Sequence, residues 1–132
     1  MYKFSRSSKK QYNTIHPLLQ DILKEAIKYI DFTIICGHRN KENQNKAYKE
    51  HASTKQWPDS KHNQNPSIAV DIAPYPIDWE NRDRFIFLAG IIYHIAQQQH
   101  TKIRFGGNWS TSWQFEEQKD ILDDLVHFEL VE

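Results

Sequence analysis

The chain has 132 residues and a mass of 15.7 kDa, one-domain length, and its hydrophobic (39%) and aromatic (13%) fractions can build a core despite a mean hydropathy of −0.77, which excludes a wholly disordered chain. Lys+Arg and Asp+Glu both number 17 and the pI is about 7.1, a balance that argues against a dedicated nucleic-acid binder. The single cysteine, Cys36, excludes an intramolecular disulfide framework and a Cys-based zinc finger, and no apolar run reaches the roughly 20 residues that cross a bilayer.

Lys3, Arg6, Lys9 and Lys10 precede the first acidic residue, Asp21. Residues 1–12 therefore read as a loosely ordered, solvated basic arm. No apolar stretch follows it as in a secretory signal, so a soluble protein made in the cytoplasm is expected. Ile15, Leu18, Leu19, Ile22, Leu23, Ala26, Ile27 and Ile30 recur at helical spacing, predicting a first helix that starts after Asn13 or Thr14 with Pro17 in its first turn. Phe32 to Cys36 is β-branched and apolar and predicts a buried strand ending at Gly37, with Cys36 as a small core residue. Asn40 is a suitable N-cap for a second helix over about Lys41 to His51.

Trp57 to Ser67 carries Pro58, Asp59, Ser60, Asn63, Asn65 and Pro66 and reads as loop. Alternation in Ile68 to Ala73 predicts a strand with Ile68, Val70 and Ile72 on one face and Ala69, Asp71 and Ala73 on the other. About Asn81 to Gln99 is helical and apolar on most sides, which suggests a central position. Lys102 to Phe105 and Leu125 to Val131 are further strands, and an acidic stretch (Glu116, Glu117, Asp120, Asp123, Asp124) precedes the last. Helices and short strands mix without a βαβ rhythm, so the fold class is α+β in a small single domain over residues 1–132.

Seven histidines are present, and two stand apart by their surroundings. His62 lies in the polar loop ahead of the strand that carries Asp71. His127 lies in Val126-His127-Phe128-Glu129-Leu130 and shares a face with Glu129. Asp71, flanked by Ala69 and Ala73, is a carboxylate on a core strand, costly to bury unless paired, hydrogen-bonded or bound to a metal. Two imidazoles and one carboxylate make a three-ligand zinc site with an open fourth position; a buried Asp–His hydrogen bond without metal fits the same pattern. Asp124, three residues before His127, is placed to act as a general base or else belongs to a solvated acidic turn. Arg39, after Gly37 and before a helix, either projects into the same cleft or lies on the surface.

Five ordered motifs carry a resemblance over about Ile15 to Leu130: Gly37-His38-Arg39 with Glu42, Gln44 and Tyr48; Ser60-Lys61-His62; Ala69-Val70-Asp71-Ile72-Ala73-Pro74; Arg104-Phe105-Gly106-Gly107-Asn108-Trp109; and Asp124-Leu125-Val126-His127-Phe128-Glu129-Leu130. Together they resemble the M15 family of zinc peptidases (D-Ala-D-Ala carboxypeptidase-like), and within it the small phage endolysin branch, the L-alanyl-D-glutamate endopeptidases. The resemblance implies an antiparallel sheet holding Zn2+ and packed against helices. By position it implies His62, Asp71 and His127 as zinc ligands and Asp124 as catalytic acid/base. Arg39 would bind substrate and polarise the attacked carbonyl, and Gln44 and Ser60 would line the substrate pocket. The segment from His62 to Asp71 is two residues longer than the family pattern, with Ser67 in place of a Gly; His38 stands for a frequent Tyr and Asn108 for a frequent Asp.

The implied activity is hydrolysis of the L-Ala–D-Glu bond in peptidoglycan stem peptides during phage-driven lysis, by a monomer without nucleic-acid partner or stable membrane insertion, reaching the wall after a holin permeabilises the membrane. A D,D- or L,D-carboxypeptidase trimming the stem is the enzymatic alternative. A non-catalytic zinc-bearing wall-binding module is the alternative of another class.

Overall fold

In the computed structural model, which describes residues 1–112 and 124–131, the chain runs through α1 (Arg6–Tyr12), α2 (Pro17–Ala26), β1 (Phe32–Cys36), α3 (Lys41–Lys49), a one-turn 3-10 helix (Lys61–Asn63), β2 (Ala69–Pro74), α4 (Arg82–Gln98), β3 (Ile103–Phe105) and β4 (His127–Leu130). The strands form one antiparallel sheet in the order β1-β2-β4-β3, the α+β architecture expected. Acidic residues Glu116, Glu117, Asp120 and Asp123 lie outside the described residues.

The N-terminal segment corrects the sequence reading. It is an ordered helix over Arg6–Tyr12, opened by Ser5, whose side chain accepts the Ser8 backbone N–H at 3.1 Å. β1 lies at the sheet edge, and its outward N–H groups need acceptors. Ser8 Oγ takes the Ile34 N–H at 3.0 Å, Gln11 Oε1 takes that of Gly37 at 3.0 Å, and Thr14 Oγ1 takes that of His38 at 2.9 Å. Three polar side chains at three-residue spacing thus cover the edge, and Ser8 is wholly buried. Hydrophobic periodicity is blind to such a helix because the residues it sets against the strand edge are polar.

Asn13 caps the end of α1 rather than the start of α2. The cap of α2 is His16, whose Nδ1 accepts the Leu18 N–H at 3.1 Å, with Pro17 in the first helical position. Leu19, Ile22, Leu23 and Ala26 bury one stripe of α2 against α4 and the sheet. Asn40 caps α3 as expected, accepting from Asn43 at 2.8 Å, but that helix stops at Lys49 and His51 turns to a φ of 61°. α4 is not central: it buries Phe85, Leu88, Ala89, Ile92, Ile95 and Ala96 and leaves Phe87 67% exposed, so it forms an outer layer over the sheet. β2, flanked by β1 and β4, is buried along its whole length, with Val70 and Ile72 in the main core beside Ile34, Phe105 and Phe128.

Two backbone features aim side chains at one place. Register pairs Asp71 with His127, and Ala69 with Glu129, on neighbouring strands and the same face. A bulge between Ile34 and Cys36 shifts the β1–β2 register, so Cys36 pairs with Asp71 while Ile34 pairs with Ile72. One extra residue turns Cys36 from the face of Ile34 to that of Asp71, which corrects its expected place in the core.

Ser8→Ala leaves the buried Ile34 N–H without an acceptor. The expected cost is about 1–3 kcal/mol of stability, read as a lower urea midpoint with unchanged slope; an unchanged midpoint would show that the edge cover is dispensable.

Candidate metal centre

His62 stands on the 3-10 helix because Ser60 caps it. The Ser60 side chain accepts the His62 N–H at 3.2 Å, and Asn63 Oδ1 accepts the Ser60 N–H at 3.0 Å in a capping box. The ring is buried, and its Nδ1 faces the carbonyl of Gly37 at 2.7 Å while Nε2 faces Asp71 Oδ1 at 3.2 Å. His127, on β4, points Nδ1 at the same oxygen at 3.2 Å and Nε2 at Glu129 Oε1 at 2.8 Å. The imidazoles lie edge to face with centroids 5.2 Å apart. Trp109, at a φ of 51°, sets its ring 5.5 Å from that of His127.

Every ring nitrogen of these two histidines meets an oxygen that only accepts: a carbonyl or a carboxylate. Each of the four positions therefore favours a proton or a cation on the ring nitrogen. The electrostatics agree. Burial alone pushes the His62 pKa down, but the charge and hydrogen bond of Asp71 outweigh it and hold it up at about 10. Burial likewise depresses His127, and hydrogen bonds to Asp71 and Glu129 reverse the shift. For Asp71, burial works upward, but the charge of His62 and hydrogen bonds from both rings hold the carboxyl far below the ordinary carboxylate range. Glu129 is held low in the same way: burial is overcome by the His127 hydrogen bond and charge and by the Arg104 charge.

Two overlapping sets of donor atoms, each within 4.8 Å of one another, share Asp71: Cys36, His62 and Asp71, and Asp71, Asp124 and His127. The two histidines expected to act together fall in different sets and meet through the one carboxylate. Contacts of 3.2 Å match the edge of a tetrahedron around a zinc ion, about 3.3 Å for ligand bonds of 2.0–2.1 Å. A divalent cation replacing the two inward protons leaves the charge of the cluster unchanged. Donor types and charge suit a metal and each set is closely spaced, but His62, Asp71 and His127 do not form one such set, so the two imidazoles would have to draw together to share an ion.

Asp124 lies in the turn entering β4. Its N–H bonds to the Gly106 carbonyl at 3.0 Å, and its own carbonyl accepts from His127 at 3.2 Å. Gly106 is required for this approach, since a Cβ there would meet the Asp124 carbonyl oxygen at 2.3 Å. Burial first, then the charge of Asp71, raises the Asp124 pKa, against smaller opposing effects of the two imidazoles.

Arg39 reaches the cluster from the far side, with Nη2 3.7 Å from Asp71 Oδ2. Its Nη1 donates to Gln44 Oε1 at 3.0 Å. Gln44, expected to line the substrate pocket, is fully enclosed instead. Its amide donates to Ser53 Oγ at 2.9 Å and to the Lys55 carbonyl at 2.6 Å, which locks the oxygen toward Arg39. Ser60 is similarly occupied in capping. Gln44 thus holds Arg39, and Ser60 holds the turn that carries His62.

Sequence reasoning missed Cys36 as a neighbour of the site, because a bulge has no pattern in a five-residue apolar run. It also missed Asn63, whose Nδ2 donates to the Arg39 carbonyl and to Gln44 Oε1, both at 3.1 Å. The third-position spacing from Ser60 was a usable capping signal.

Among solved structures, the L-Ala D-Glu endopeptidase ChiX of Serratia marcescens has the same fold, with a TM-score of 0.76 over 97% of this chain and 89% of that one at 24% identity. The L-alanyl-D-glutamate peptidase of Escherichia phage T5 is 30% identical, with 98% of each chain covered. The family model for phage L-alanyl-D-glutamate peptidases matches residues 1–131, nearly every position, and the chain belongs to that family.

Proposed function

We propose that this chain is a zinc-dependent peptidoglycan endopeptidase that cuts the L-Ala–D-Glu bond of stem peptides and serves as a phage endolysin. The observation that carries the zinc reading is the Asp71 carboxylate shared by two imidazoles whose inward nitrogens a cation can take over. His62 and His127, with Asp71, would hold the ion; bound there, zinc lowers the pKa of water toward ~7 and polarises a carbonyl oxygen.

This chain's own residues account for the remaining work. Asp124, placed within 4.8 Å of the Asp71 and His127 donors, takes the proton of the attacking water and returns it to the departing nitrogen. Its raised pKa suits a group that must both accept and release a proton. Arg39, held by Gln44 and aimed at Asp71, supplies a fixed positive charge for the developing oxyanion or a substrate carboxylate. Gly106 fixes the separation of Asp124 from the histidine it precedes. No helix among the described residues is long and apolar enough to cross a membrane, and passage to the wall through a holin-type partner is part of the proposal.

Asp124→Ala is expected to lower hydrolysis by about 10²–10⁴-fold while zinc binding stays near that of the wild type. Clearing of outer-membrane-stripped cells at the wild-type rate would remove Asp124 from the mechanism. Mass spectrometry of digested murein should show new N-terminal D-Glu on the stem; release of D-alanine would mark a carboxypeptidase, and no product at all a binding module.

Metal loading should release protons, since the upward shifts of both imidazoles favour their protonated forms and an ion would displace the inward protons. Affinity then rises with pH as the competing protons leave, up to about 10 for His62, and falls on acidification. Calorimetry in buffers of differing ionisation enthalpy reads the count; loading without proton release would contradict the protonated inward nitrogens.

A further inference from the structure

Behind His127 stands a second carboxylate that the hydrolysis described above does not use. Glu129 is buried, two residues along β4 on the same face, and its Oε1 accepts from His127 Nε2 at 2.8 Å. Its other oxygen, Oε2, is held by Arg104 Nη1 at 3.4 Å. Arg104 and Glu129 are register partners on β3 and β4, so the sheet itself sets this contact. On its other side Glu129 pairs with Ala69, whose single methyl leaves room for the carboxylate to lie along the strand against the imidazole. The other ring nitrogen, Nδ1, faces Asp71 Oδ1 at 3.2 Å, with Asp124 in the same group of donors.

We infer that Glu129, anchored by Arg104, is a positioning residue for His127: it holds the Nε2 proton, fixes the ring plane and so presents the bare Nδ1 to the ion. The inference rests on the zinc reading above. The two histidines are supported differently. His62 is held by a neutral backbone carbonyl, that of Gly37, which no substitution of a side chain removes. His127 is held by a charged side chain, so its orientation and basicity depend on residue 129. A carboxylate behind a ligand imidazole raises its donor strength, and removing such a partner costs 10–100-fold in metal affinity as a rule.

Chelator competition with zinc on the whole protein tests this. Glu129→Ala is expected to weaken zinc binding about 10–100-fold. Glu129→Gln keeps an amide oxygen for the Nε2 proton and should recover most of that loss. The cobalt-loaded proteins supply a spectroscopic readout, with the visible bands of the Ala variant shifted and those of the Gln variant close to the wild type. Should Glu129→Ala not fold, Arg104→Ala is the second variant; its side chain is 38% exposed, and loss of the anchor should weaken zinc binding several-fold. Zinc binding and cobalt bands unchanged in Glu129→Ala, a Gln variant as weak as the Ala variant, or, in the second case, an unaltered Arg104→Ala would each overturn the positioning role alone. A wild-type protein that binds no zinc would overturn the metal reading, and the positioning role with it.

Discussion

One carboxylate oxygen organises the centre of this protein. Asp71 Oδ1 sits 3.2 Å from a nitrogen of each imidazole, on the middle of a strand with almost no water around it. A charge so placed is tolerable only with full compensation, and every neighbour contributes. Two rings face it, Arg39 approaches its second oxygen, and Glu129 balances the ring that Asp71 alone does not neutralise. The attractions gathered around Asp71 are of the kind that would also grip a metal.

Backbone geometry brings these groups together from distant parts of the chain. The pairing of Asp71 with His127 is a matter of strand register, and slipping by one residue would turn one of them to the opposite face. His62 comes from a loop, where a capped single turn does for it what a strand does for the others. Arg39 follows the edge strand, and its N–H bonds to the His62 carbonyl at 2.8 Å, so the arginine and the first histidine are tied through their main chains as well. The catalytic proposal thus draws Asp71 and His127 from hydrogen-bonded sheet and His62, Arg39 and Asp124 from the turns beside it.

Much of this was legible in the amino-acid order. Phe32–Cys36 is a strand at the stated limits, Asn40 caps its helix, and His62, Asp71, His127, Asp124 and Arg39 converge. The strand and the cap rest on local rules, alternation and capping chemistry, and the carboxylate on an apolar strand draws notice by its cost, whereas the full set of site residues comes from the resemblance to the M15 family. What escaped rests on non-local contact. Ser8, Gln11 and Thr14 look like a hydrophilic tail until the edge of β1 lies beside them. Cys36 changes face through a bulge, and Gln44 reads as a pocket residue until its amide is seen bound on all sides. Phe87 extends an apolar pattern yet stands in solvent, because α4 covers one side of the sheet and has nothing described beyond it.

Gly37 joins the two halves of this account. Its N–H is held by Gln11 of the terminal helix, and its carbonyl by the Nδ1 proton of His62. There is no room for a larger residue, since an added Cβ would lie 2.3 Å from Thr14 Oγ1. A single residue therefore couples the terminal helix to the His62 imidazole. Fusions or truncations made at that end of the chain would be felt, through Gly37, at the His62 ring.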